Sequence, residues 1–208
     1  MSTRVPPLEV ADMTAEQREF YDSYATGFRA APEATFLLVD DAGHLMGPPA
    51  IWVHSQPLGN SLQVFGGAIR YHLHFSRRAQ EIAILMVAQH RDSAFERFAH
   101  QQAGLKSGLT QQDIDAILAG NPPELRSDEE RAVYAVTRGV LATGTLDARE
   151  YQKYAAVLSV PHLFELVTLI GYYLMLATQL SVFDIQPPAT RSGAGGQQGP
   201  GGKGDSGP

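Results

Sequence analysis

Apolar residues along this chain recur at three- and four-residue intervals, and no stretch alternates apolar and polar positions as a half-buried strand would. The pattern predicts helices over almost the whole body. Residues 14–25 (TAEQREFYDSYA) open on Thr14 with Gln17 three positions on, the spacing of a capping box. Residues 31–60 contain Pro32, Gly43, Gly47, Pro48, Pro49, Pro57 and Gly59, so this part is expected to be mostly irregular, with short helical pieces at 36–39 and 51–55. A helix is expected over 59–71. Ser76 then caps an amphipathic helix over 77–89, on which Ile82, Leu85, Met86 and Gln89 share one face. The next helix, 94–107, carries a core stripe of Phe95, Phe98, Ala99 and Leu105 and stops at Gly108. Thr110 starts a short helix that ends at Gly120. The pairs Ser127/Glu130 and Asp147/Glu150 have capping-box spacing for two more.

Ser159 caps the last helix, which has Pro161 in its first turn, where proline is tolerated. It is apolar nearly all round. Glu165 and His162 at its start, and Thr168, Thr178, Gln179 and Ser181 within, weigh against a membrane span. The centre of a bundle or a subunit interface is the preferred reading, and a homo-oligomer is expected. No internal repeat is visible.

Composition narrows the function classes. The chain has 208 residues and no cysteine, which excludes disulfides, thiolate metal sites and thiol catalysis. Its formal charge is −6 (16 basic against 22 acidic residues), so a phosphate-contacting nucleic-acid partner is not expected. The opening MSTRVPPLEVADMT has no apolar run, so no secretory leader is expected there and the reading is cytoplasmic. Residues 189–208 hold eight of the 20 glycines and no aromatic or branched aliphatic residue, and are expected to be a disordered tail beyond a single domain over 1–188.

Candidate chemistry concentrates in 70–100, RYHLHFSRRAQEIAILMVAQHRDSAFERFAH. Glu96 and His100, four apart, lie on one helical face. Glu81 sits in the preceding helix on the strip Glu81, Leu85, Ala88, at the edge of the apolar face, and a tight turn at 91–93 folds the two helices together. A carboxylate beside a histidine in a semi-apolar cleft suits proton transfer. Two plainer readings stand beside this one. Ser93 and Glu96 have capping-box spacing, and Glu96–His100 equally fits a solvated i,i+4 pair.

The runs R-x-x-E-I-A-I-L-x-V-A (78–88), A-F-E-R-F-A-H (94–100) and A-G-L-K-S-G-L-T (103–110) resemble the carboxymuconolactone decarboxylase and alkylhydroperoxidase D-like superfamily. So do R-V-P-P-L (4–8), G-P-P…H-S-Q-P-L-G (47–59), and G-Y-Y followed by F-D-I-Q-P-P (171–188), so the resemblance spans residues 4–188. It implies an all-α, single-domain helical bundle, assembled as a trimer, hexamer or dimer, with a site on the central helix pair. In the peroxidase branch that site has a glutamate, a C-x-x-C and a histidine. Glu81 matches the glutamate, His100 the histidine, and Ser93 and Glu96 stand at the two thiol positions. Disulfide-forming peroxide reduction therefore has no thiols to use. E-R-F-A-H resembles instead the decarboxylase-like branch, whose motif is E-W-x-x-H, although Arg97 departs from the tryptophan.

The resemblance implies a lyase-like reaction on a small unsaturated acid or lactone that needs neither metal nor organic cofactor. Glu81, Glu96 and His100 are the candidate catalytic residues, with His100 as proton donor. His54 and Trp52, in the segment that lines the pocket by resemblance, are candidate substrate contacts. Arg70 is the candidate for a substrate carboxylate, although a surface salt bridge explains it as well, and Tyr172 and Tyr173 are candidates for capping the pocket, although core packing is the preferred reading of both. His72 and His74 qualify as metal ligands only if other ligands converge on them, and an exposed helix end is preferred. His90 suits a helix C-terminus, and His44 and His162 have no evident role. Two alternatives remain: a non-enzymatic oligomeric or ligand-binding member of the superfamily, and a metal-dependent enzyme using His72, His74, Glu96 and His100.

Overall fold

A computed structural model describes residues 4–26 and 38–188 of the chain. The expected tail at 189–208 lies outside the described residues, as does part of the helical piece expected at 36–39. Its described end, Val39, pairs with Leu45 in an isolated antiparallel bridge. Among the described residues the protein is all-α, with eight helices.

Helix α1 is Ala15–Ala25, and the Thr14/Gln17 capping box forms at its start, with Gln17 N–H donating to Thr14 Oγ1. Helices α2, Pro48–Trp52, and α3, Gln56–Tyr71, organise more of the proline-rich segment than the sequence predicts. Pro48 and Pro49 open α2 and Pro57 opens α3, where the missing N–H groups have no intrahelical role anyway. Helices α4, Arg77–His90, and α5, Ala94–Lys106, form the central hairpin. Helices α6, Gln111–Leu118, and α7, Asp128–Thr143, follow. Helix α8 runs Ala148–Val182 but is broken at Ser159, whose φ of +65° and ψ of 162° are non-helical, so it consists of the two helices expected, joined end to end.

The hub is α4, which packs against α5, α6, α7 and α8. It is not the half-exposed helix its pattern suggests: every residue from Arg78 to Ala88 is buried. One side, with Ala79, Ala83, Ile84 and Val87, enters a large core with Val133 and Val136 of α7 and Leu166, Leu169 and Ile170 of α8. The other, with Ile82, Leu85 and Met86, enters a smaller core with Ile114 and Ile117 of α6 and Tyr134 of α7. Each fully buried aliphatic side chain there contributes about 1.5–3 kcal/mol. Gln89, expected on the apolar face, is exposed, and so is Leu105 of the predicted α5 stripe. On α5 it is Gly104 that meets the core, and a Cβ there would lie 2.9 Å from Leu109 Cδ1.

The polar residues of α4 tolerate burial because each finds a partner. Arg78 donates from Nη1 to Glu130 Oε2 (2.5 Å), from Nη2 to Asp113 Oδ2 (3.1 Å) and the Glu124 carbonyl (2.9 Å), and from Nε to the Gly108 carbonyl (3.1 Å). Burial opposes ionisation of Asp113, but the N–H groups of Thr110 and Glu124, the Thr110 hydroxyl and Arg78 outweigh it and hold its carboxyl down at about 2. The same network explains why the predicted capping box of α7 is only half formed. Ser127 accepts the Glu130 N–H, while the Glu130 carboxylate turns to Arg78 and the Arg126 N–H.

Candidate functional site

The α4–α5 hairpin brings Glu81, Glu96 and His100 together. Asp92, at φ +50°, makes the reversal between the helices, so α5 runs back along α4. His100 Nδ1 lies 2.8 Å from Glu81 Oε2 and donates to it; Nε2 lies 3.4 Å from Glu96 Oε2. All three side chains are below 10% exposed. Glu81 is therefore buried rather than at the edge of its helix, because α5 covers that face. Ser93 makes no side-chain cap for α5, and Glu96 faces the histidine, so the capping-box reading of this pair does not hold.

Burial disfavours the imidazolium, but the Glu81 carboxylate, by charge and hydrogen bond, together with Glu96 raises the His100 pKa from 6.5 to about 9. His100 is thus a cation at neutral pH, sandwiched between two carboxylates. Tyr173 of α8 presents its ring edge-on to the imidazole, with centroids 5.0 Å apart at 90°. Its phenol is pushed well above its ordinary pKa, chiefly by burial, and stays a neutral O–H.

Glu96, His100 and Tyr173 border a cavity of about 50 Å³, several times the roughly 10–15 Å³ a single water requires. Glu96, His100, Arg70, Trp52, Tyr172 and Tyr173 line it. Of the substrate contacts read from the sequence, Trp52, Arg70 and Tyr172 thus belong to the cavity. His54 does not: it is exposed after the end of α2 and absent from the lining. Trp52 is fixed by an Nε1–H donated to Gln179 Oε1 (3.0 Å), which ties α2 to α8. Gly66 lets α3 come close to α8, since a Cβ there would lie 2.3 Å from the Tyr172 hydroxyl oxygen. Arg70, on the last turn of α3, has a buried Nε–H with no hydrogen-bond partner. A buried donor left unpaired is costly and marks a place where an acceptor is missing.

The sequence favoured core packing for Tyr173 and did not single out for the cavity Phe95, Tyr24 or the Pro48–Pro49 pair, which complete the wall. An all-round apolar helix gives no sign of which face meets a cavity, so Tyr173 carried no local signal. A larger hollow of about 540 Å³ lies between the 5–8 segment, the 40–50 region and 185–188. Its ionisable lining is Asp40, Asp41 and His44, the last paired with Glu9 and Asp40. No pair of buried acid and base lines it, in contrast to the smaller cavity.

The residues of the metal-enzyme alternative do not assemble into one ligand set among the described residues. His74 pairs with Glu165 of α8, and His100 with Glu81 and Glu96. In comparisons with protein-family models, curated proteins and solved structures, none matches the chain.

Proposed function

We propose that the chain is a lyase-like enzyme of the carboxymuconolactone decarboxylase-like type, using acid–base chemistry on a small unsaturated carboxylic acid or lactone. One observation carries this reading: a buried imidazole held between two buried carboxyl groups, at a cavity that Arg70 also lines with an unpaired N–H. Arg70 donates its unpaired Nε–H to a substrate carboxylate, which supplies the missing acceptor. The nearby Glu96 disfavours a second negative charge, which favours departure of a carboxylate as carbon dioxide. The breaking C–C bond leaves its electron pair in the substrate's unsaturated carbonyl system, and His100 delivers its proton to the resulting carbanion. Neutral His100 then regains a proton from water, with Glu81 Oε2 keeping Nδ1 oriented. No thiol takes part.

Burial of Glu96 against His100, rather than at the helix end, weighs against a non-enzymatic member whose glutamate serves only as a cap. The exposed apolar residues Val157, Val160, Phe164 and Val167 along α8 support assembly as a homo-oligomer through that helix. The α8 helix is also long and apolar enough to cross a membrane, with a mean hydropathy of 1.5. Its buried residues from Leu158 to Leu180 instead form part of the core.

The test is incubation of the full chain in deuterated water with a set of unsaturated carboxylated lactones and acids, followed by NMR. Decarboxylation with deuterium placed at the protonated carbon is expected, and its loss in His100→Ala with helicity retained. Turnover surviving in that variant overturns the assignment of His100.

A further inference from the structure

We propose that His74, His162 and Glu165 form a binding site for one divalent transition-metal ion, of the zinc, cobalt or nickel class, separate from the His100 cluster. One ligand atom from each of the three lies within 4.8 Å of the other two. His162 and Glu165 are three apart on α8, hence on one helical face, just past the Ser159 break and Pro161. His74 comes from the linker between α3 and α4, 91 positions from Glu165.

The carboxylate is already oriented. The His74 backbone N–H donates to Glu165 Oε2 (2.9 Å), and Oε1 faces His74 Nδ1 at 2.6 Å. The imidazoles of His74 and His162 stack 5.7 Å apart and only 10° from parallel. Two imidazoles and one carboxylate are thus gathered by elements remote in sequence.

The donor set decides the class of ion. Two imidazole nitrogens with one carboxylate oxygen suit borderline transition metals, whereas calcium and magnesium prefer all-oxygen shells. Donors at about 2.0–2.2 Å from a tetrahedral zinc stand closer together than 4.8 Å, so the three side chains need only modest rotation. His74 is the most exposed of the three, which leaves water access to a fourth position. An ion held there ties the linker that joins Arg70 to Glu81 onto the helix carrying Tyr172 and Tyr173. The site does not depend on the reaction proposed for His100.

The test is isothermal titration of zinc chloride, and separately calcium chloride, into the chelator-treated full chain at pH 7.5, with cobalt absorption spectra as a geometric readout. One saturable zinc equivalent per chain is expected, with no heat from calcium. His74→Ala and Glu165→Gln are each expected to weaken zinc about tenfold or more and to abolish the cobalt bands, while His100→Ala retains both. His74 is exposed, so its variant carries little risk to folding. Absence of a saturable zinc equivalent, or zinc binding unchanged in His74→Ala, overturns the proposal, as does loss of binding in His100→Ala.

Discussion

The His100 environment makes a prediction that can be read without knowing any substrate. Its pKa rises from 6.5 to about 9 because Glu81, with help from Glu96, outweighs the burial that opposes the charge. A group whose proton is held more tightly in the folded state contributes stability that is complete below its unfolded pKa and disappears as the pH rises through the folded one. Between about pH 6.5 and 9 the native state holds one proton more than the unfolded chain, so stability falls by about 1.4 kcal/mol per pH unit, about 3 kcal/mol in all. The perturbation is Glu81→Gln, which keeps the size and a hydrogen-bonding oxygen at position 81 but removes the charge. Urea unfolding of both proteins at pH 6, 7.5 and 9.5, with the His100 ring followed by NMR, is the assay. Wild type is expected to lose about 3 kcal/mol over that range. The variant is expected to give a much flatter profile and a ring that titrates closer to 6.5. A wild-type ring that titrates at 6.5 or below, or parallel stability profiles for the two proteins, refutes the reasoning.

Two further substitutions test the frame around the site. Arg78→Met leaves Asp113 and Glu130 buried without their shared cation and is expected to cost about 3–5 kcal/mol in urea unfolding; a loss below about 1 kcal/mol contradicts the role given to this network. Gly47→Ala forces a side chain into φ +64°, ψ −147° and brings its Cβ within 2.4 Å of Phe95 Cζ. A loss of about 2 kcal/mol or more is expected, with altered ring resonances of Phe95 at the cavity wall, and an unchanged melting temperature contradicts it.

What was legible in the sequence was local. The capping pairs Thr14/Gln17 and Asp147/Glu150 form as read, because both partners lie within one turn and nothing else competes for them. Glu81 and His100 were also within reach, since a tight turn joins their helices and a hairpin fixes which residues meet. The Ser93/Glu96 and Ser127/Glu130 spacings misled for one shared reason: a competing partner, His100 one turn on in the first case and Arg78 from another helix in the second, draws the carboxylate away from the capping position. The full burial of α4 was likewise hidden. Gln80 and Arg78 look like surface residues until the Phe75 carbonyl, Asp113 and Glu130 are seen to satisfy them. His74 was weighed as a ligand only beside His72, and His162 carried no signal, because their neighbourhood is created by folding the linker before α4 against the break in α8.

The identity of residue 96 then matters more than a motif match suggests. On the family resemblance, positions 93 and 96 are where the peroxidase branch carries its thiols. A buried serine and a buried carboxylate there remove the redox couple, and the carboxylate adds a charge 3.4 Å from His100 Nε2. That charge joins Glu81 in holding the imidazole protonated against its burial. On the function proposed above, a carboxylate in place of a thiol at position 96 supports protonation of a carbanion by His100 after neutral carbon dioxide has left.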